Sequence, residues 1–228
     1  MASPIIDAIE PGIEGWTLPT VVSRETKYTV GAMMFGLATL LYLASNRYHF
    51  IEPRMLPMSW VDFAVPFVPK SVWIYASESM LFTVVYITCK NISNLNKYIY
   101  SFLTLQAVSV LIFWFWPTTY PRDQFPLPVD LDALTFYLFD SLRHADTPAN
   151  CCPSLHVSSC YLSSFIFLDE QRGKFLFFFL WATAVAVSTL TTKQHYLIDV
   201  VTGFLMAVVM YWIFHRQVNY RDTLQANR

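Results

Sequence analysis

Six apolar segments, roughly 28–45, 71–89, 98–117, 154–168, 175–192 and 196–214, follow one another along this chain and constrain its fold more than any other feature. Most approach the ~20 residues that a helix needs to cross hydrocarbon. Backbone inside a bilayer must satisfy its own polar groups, as a helix does. The expected fold class is therefore all-α, a polytopic membrane protein with six transmembrane helices. A composition of 55% hydrophobic and only 14% charged residues agrees. The fourth segment is the shortest. From Ser154 to Leu168 a helix covers about 22 Å at ~1.5 Å per residue, so it must run on towards Arg172 or cross where the membrane is thin.

Between the first two segments, "MLPMSWVDFAVPFVPK" suits a short interfacial helix, and "VDLDALTFYLFDSL" in the long 118–152 connection reads as an amphipathic piece at the membrane surface. Three regions are expected: an N-terminal segment over 1–27, a membrane domain over 28–214 and a tail over 215–228. The first carries Asp7, Glu10, Glu14 and Glu25 with no compact apolar stretch, unlike a cleavable signal peptide. Counting Lys and Arg gives nine on the side of both termini and six on the other. That bias puts both termini in the cytoplasm of a cell inner membrane. The net charge of -1, without any basic run, argues against a nucleic-acid partner. Cys89, Cys151, Cys152 and Cys160 have neither metal nor disulfide spacing and read as small apolar residues.

With six spans, three polar stretches meet at one end of the bundle: "FWPTTYPRDQF" (115–125), "NCCPSLHVS" (150–158) and "STLTTKQHYLIDVVTG" (188–203). That end is the expected extracytoplasmic active site. His195 and Asp199 are four residues apart, so on a helix the carboxylate can hold one imidazole nitrogen and leave the other free as base or nucleophile. An acid at such a place is costly and marks either a site or a packing pair. In the second stretch Pro153 suits the first helical position, which would leave the amides of Ser154, Leu155 and His156 free for an anion. The Ser154 hydroxyl adds a donor and His156 can serve as general acid; a plain helix cap with a surface histidine is the alternative. Arg122 offers a fork for phosphoryl oxygens, or else meets lipid headgroups. Lys193 lies two residues before His195. Glu78, inside the second segment, either counters one of these cations or sits near the interface. A zinc site from His156, His195 and Asp199 lacks a further ligand with recognisable spacing, and Arg122 and Lys193 oppose it, so no metal and no cofactor is expected.

These stretches resemble the type-2 phosphatidic acid phosphatase superfamily, whose signature is K-x6-R-P, then P-S-G-H, then S-R-x5-H-x3-D. Here Pro153, Ser154 and His156 match the second motif, and Ser188, His195 and Asp199 the third. Phe115, Asp123, Leu155 and Thr189 depart from it, replacing the motif lysine, proline, glycine and second arginine. The pattern is similar to the branch containing inositol phosphorylceramide synthase and its bacterial relatives. The resemblance implies a lipid phosphatase acting on a phospholipid or lipid pyrophosphate through a phosphohistidine on His195. Asp199 would orient His195, His156 would protonate the leaving oxygen, and Arg122, Ser154 and Lys193 would bind phosphate. It leaves open a phosphotransferase that passes the head group to an alcohol such as ceramide or diacylglycerol. A transporter or structural membrane protein is the non-enzymatic alternative.

Overall fold

The computed structural model describes residues 16–221. A short strand β1 (Thr17–Pro19) leads into α1 (Lys27–Arg47). Strand β2 (Arg54–Met55) is followed by the short helix α2 (Trp60–Ala64), then α3 (Val72–Ala76) and α4 (Glu78–Thr88). The long α5 (Ile92–Phe115) ends at β3 (Thr118–Thr119), and α6 (Ala133–Ala145) is the amphipathic surface piece. Helices α7 (Leu155–Phe165), α8 (Arg172–Thr191) and α9 (Leu197–Trp212) follow, with β4 (Asn219–Arg221) last.

Among the described residues, four helices are long and apolar enough to cross a membrane: α1, α5, α8, and α9 with the π turn that extends it to Gln217. The other two expected spans are shorter. The second is divided at Ser77 into α3 and α4, and the fourth is the eleven-residue α7. The outer faces are apolar, with Leu40, Leu180 and Trp212 each more than half exposed, as hydrocarbon-facing surfaces require.

Local chemistry explains the helix starts. Asn91 accepts from the Asn94 amide and Asp132 from the Thr135 amide, each satisfying a donor that the first turn leaves unpaired. Ser59 and Asp62 form a reciprocal capping box on α2. α7, the most buried helix, packs against α4, α5, α8 and α9. Its serines at 158, 163 and 164 return their hydroxyls to carbonyls of their own helix, so a polar sequence can be buried without orphan donors.

Two small parallel pairings tie the ends of the bundle. β1 pairs with β4, joining the chain before α1 to the chain after α9. At the opposite end β2 pairs with β3, and Thr118 bridges to Asn150. Thr118 accepts from the Cys151 amide through its carbonyl and from the Cys152 amide through its hydroxyl. This gathers the first two polar stretches, and the Tyr196 hydroxyl joins the third by donating to the Thr119 carbonyl.

Candidate active site

His195 lies in the turn between α8 and α9. The α8 C-terminus closes with the amides of Gln194 and His195 on the Thr189 carbonyl, and Lys193 adopts φ 55°. That left-handed conformation, usual for glycine in this position, costs a lysine about 1 kcal/mol. Its side chain anchors the turn: the ammonium donates to the carbonyls of Asp62 (2.7 Å) and Val65 (2.6 Å) at the end of α2. Burial holds the Lys193 pKa below its ordinary value, with Asp62 opposing the shift. Two of its three donors are thus engaged away from the imidazoles.

Asp199 is the third residue of α9 and has two roles in one carboxylate. Its Oδ2 accepts the Tyr196 amide at 2.9 Å, closing the helix start, and lies 3.2 Å from His195 Nδ1. His195 Nδ1 is also 3.0 Å from the Cys151 carbonyl oxygen. A carbonyl can only accept, so Nδ1 carries the proton and Nε2 presents a lone pair. That lone pair faces His156 Nδ1 across 3.4 Å. The second imidazole is held from behind, where its Nε2 meets the Tyr75 hydroxyl at 2.7 Å and Glu78 Oε1 at 3.3 Å. Glu78 therefore faces a histidine, a partner that neither sequence reading named.

The start of α7 differs from expectation. The helix begins at Leu155, Ser154 is its N-cap, and Pro153, joined to Cys152 by a cis peptide bond, precedes the cap. Ser154 Oγ accepts from the Val157 amide, while its own amide donates to the Asp199 carbonyl at 3.0 Å. Only the Leu155 and His156 amides of the predicted three stand at the helix mouth without an intrahelical acceptor. The reason is the close approach of α9, where a Cβ on Gly203 would lie 2.6 Å from the Ser154 carbonyl oxygen.

Arg122 is buried in a short 3-10 turn and paired with Asp146. Its Nη2 donates to Asp146 Oδ2 at 3.0 Å and its Nη1 to the Asp146 carbonyl. Tyr42 and Asn46 of α1 donate to the other carboxylate oxygen. Burial pushes the Asp146 carboxyl up, but Arg122, His156 and Tyr42 together outweigh it and hold the group below the usual carboxylate value. Arg122 Nε is buried without an acceptor among the described residues, so the fork keeps donors in reserve. Phe115 and Thr189 stand where the motif cations would be. Phe115 is exposed and stacks on Phe50; Thr189 is buried and donates to the Ala186 carbonyl of its own helix.

Sequence reasoning missed Tyr75, Asp146, Asp62 and Cys151. The S-x-x-D pattern at 59–62 is a legible capping box, yet nothing in it says that Asp62 Oδ1 also accepts the Leu197 amide at the start of α9 (2.7 Å). Cys151, not His156, completes the group of potential metal ligands with His195 and Asp199, their donor atoms lying within 4.8 Å of one another. Burial, with Asp199 adding to it, pushes the Cys151 thiol well up, so it stands there as a neutral S–H.

A helical membrane protein with a buried imidazole facing a partly buried one, a carboxylate behind each ring and a guanidinium nearby has the equipment for transfer of an anionic group. The chain belongs to the PAP2 superfamily, the type-2 phosphatidic acid phosphatases, whose family model matches residues 50–213. Membership points to phosphatase or phosphotransferase chemistry on phosphate-bearing substrates at a membrane. The chain is also similar to an uncharacterized protein of Methanocaldococcus jannaschii, 36% identical over 59 residues, or 26% of this chain. That match spans about a quarter of the relative's length (24%).

Proposed function

We propose that the protein is an integral-membrane lipid phosphatase or phosphotransferase that works through a phosphohistidine on His195. The observation that carries this reading is the tautomer: a carbonyl and a carboxylate both meet Nδ1, leaving the Nε2 lone pair directed at a second histidine. In the first step His195 Nε2 bonds to phosphorus as the bond from phosphorus to the lipid oxygen breaks. His156 Nδ1 gives its proton to that oxygen, and admitting phosphorus widens the gap between the rings. Asp199 stabilises the charge on His195. Glu78 keeps the His156 Nε2 proton throughout, so that Nδ1 can act as acid in the first step and base in the second. In the second step water or an alcohol attacks phosphorus, its proton passes to His156 Nδ1, and His195 is released. Arg122, Ser154 and the free amides of α7 bind the phosphoryl oxygens, while Lys193 and Asp62 position the His195 turn. Incubation with a panel of lipid phosphates, measuring both inorganic phosphate and new phospholipids, tests the reading. Turnover of none of them would overturn it.

Two further expectations belong to this mechanism. Vanadate, which takes the five-coordinate geometry of the transferring phosphorus, should inhibit, and Arg122→Ala should weaken that inhibition together with turnover, since a group that binds the transition state must also bind its mimic. A chelator should leave the rate unchanged. Loss of activity on chelation, restored by zinc, would instead favour the Cys151, His195 and Asp199 group as a metal centre. For orientation, a cysteine at Val129, fully exposed in the 118–152 connection, should react with an impermeant thiol reagent in intact cells once the native cysteines are replaced. Reaction only after lysis would put the site on the cytoplasmic face.

A further inference from the structure

A cavity of about 310 Å³ lies between α1, α4, α5 and α7, within the range of small-ligand sites. Its lower walls are Phe35, Phe82 and Phe102, and its upper end reaches the imidazole of His156. Thr39 of α1 and Ser79 and Thr83 of α4, all exposed, line it as well. The opening is therefore lateral, between α1 and α4.

Two polar groups in this cavity lack partners. Gln106, midway along α5 and only 5% exposed, donates through Nε2 to Ser159 Oγ at 3.3 Å, while its Oε1 has no donor among the described residues. Glu78 directs Oε1 at His156, and its Oε2 is buried without a donor. A buried acceptor left unsatisfied is costly, and a glutamine inside a membrane helix has its own cost. Both can accept a hydrogen bond. Apolar packing alone would call for neither of them; a ligand with hydrogen-bond donors on a hydrocarbon chain would satisfy both.

We propose that this cavity binds the alcohol portion of the lipid, a hydrocarbon chain bearing hydroxyl or amide donors, with Gln106 Oε1 and Glu78 Oε2 as its acceptors. The inference rests on the phosphoryl-transfer reading of the site and extends it. A hydroxyl held there lies beside His156, the group that exchanges a proton with the alcohol oxygen. The chain leaves through the lateral opening into the bilayer. The same chemistry describes two sources, the alcohol departing from the substrate and an alcohol arriving as acceptor, because the two steps run through His156 in opposite directions.

The test uses the full-length purified protein and a dodecanol carrying a diazirine, with labelled residues mapped by mass spectrometry. Dodecanediol with vicinal hydroxyls should protect the α1, α4 and α5 cavity residues from labelling, whereas its dimethoxy analogue, which has no donors, should not. Gln106→Leu should weaken protection by the diol about tenfold, the usual effect of one lost buried hydrogen bond. Thr83→Trp, on the exposed rim where the fold tolerates size, should close the opening and remove the labelling. Equal protection by diol and dimethoxy compound, label outside the cavity, or unchanged labelling in Thr83→Trp would each overturn the proposal. Labelling in His195→Ala should match wild type, so failure of the phosphohistidine reading is distinguishable from failure of the cavity. A second arm supplies a lipid phosphate with the diol. Phosphorylated diol identifies an acceptor, and phosphate release alone identifies the departing alcohol.

Discussion

Replacing His195 with alanine should abolish turnover, with a loss on the order of 10⁵-fold or more, because it removes the atom that bonds to phosphorus and leaves no covalent route. His156→Ala should be milder, about 10²- to 10⁴-fold, as loss of a general acid usually is, since water can supply the proton slowly. The asymmetry follows from the geometry. His195 Nδ1 is held by both Asp199 and the Cys151 carbonyl, so only its Nε2 is free to attack, whereas the His156 Nε2 is engaged by Tyr75 and Glu78 and its Nδ1 is the proton carrier. Purified variants assayed with a lipid phosphate, together with trapping of acid-labile phosphate on the protein, check both statements. Wild-type rates from His195→Ala, or phosphate trapped on His156, would reverse the assignment.

Gly203→Ala should be the most damaging substitution outside the reacting groups. The added Cβ would stand 2.6 Å from the Ser154 carbonyl oxygen and 3.3 Å from Val157 Cβ. The first of these is backbone and cannot rotate aside, so α9 must move away from the start of α7. That motion stretches the hydrogen bond from the Ser154 amide to the Asp199 carbonyl and carries His195 away from His156. Overpacking of this kind costs about 1–3 kcal/mol of stability. Misplacement near 1 Å at a reacting centre costs about 10²-fold in rate. Gly173→Ala is the matched control, since a Cβ there meets nothing within 4 Å and helix propensity favours it. Thermal unfolding and turnover of the two variants should diverge; equal behaviour would mean that the α7 and α9 contact does not set the site.

The residues of this site differ in how far local sequence could announce them. His195 and Asp199 sit one helical turn apart, so their pairing is a property of helix geometry and legible in the chain alone. The convergence of the three polar stretches was likewise determined by the order of the apolar segments, which alternate the ends of successive spans. Ser154 was legible as a cap candidate, but its helix position was not: the start at Leu155 depends on how closely α9 approaches, and Gly203 lies almost fifty residues away in sequence. Arg122 could be read as a cation near phosphate. Its partner Asp146 comes from the far side of the amphipathic α6, a contact that no periodicity encodes.

By itself, then, the sequence determined an apolar helical bundle, the end at which its polar residues gather and the His195 and Asp199 dyad, because each follows from bilayer thickness or from residues within a turn of one another. Only the tertiary structure decided that Glu78 and Tyr75 stand behind His156, that Lys193 donates to the carbonyls of Asp62 and Val65, and that Gln106 and His156 line one cavity. Those relations join helices remote in the chain, and a charged or amide side chain in an apolar segment carries no mark of which neighbour will satisfy it.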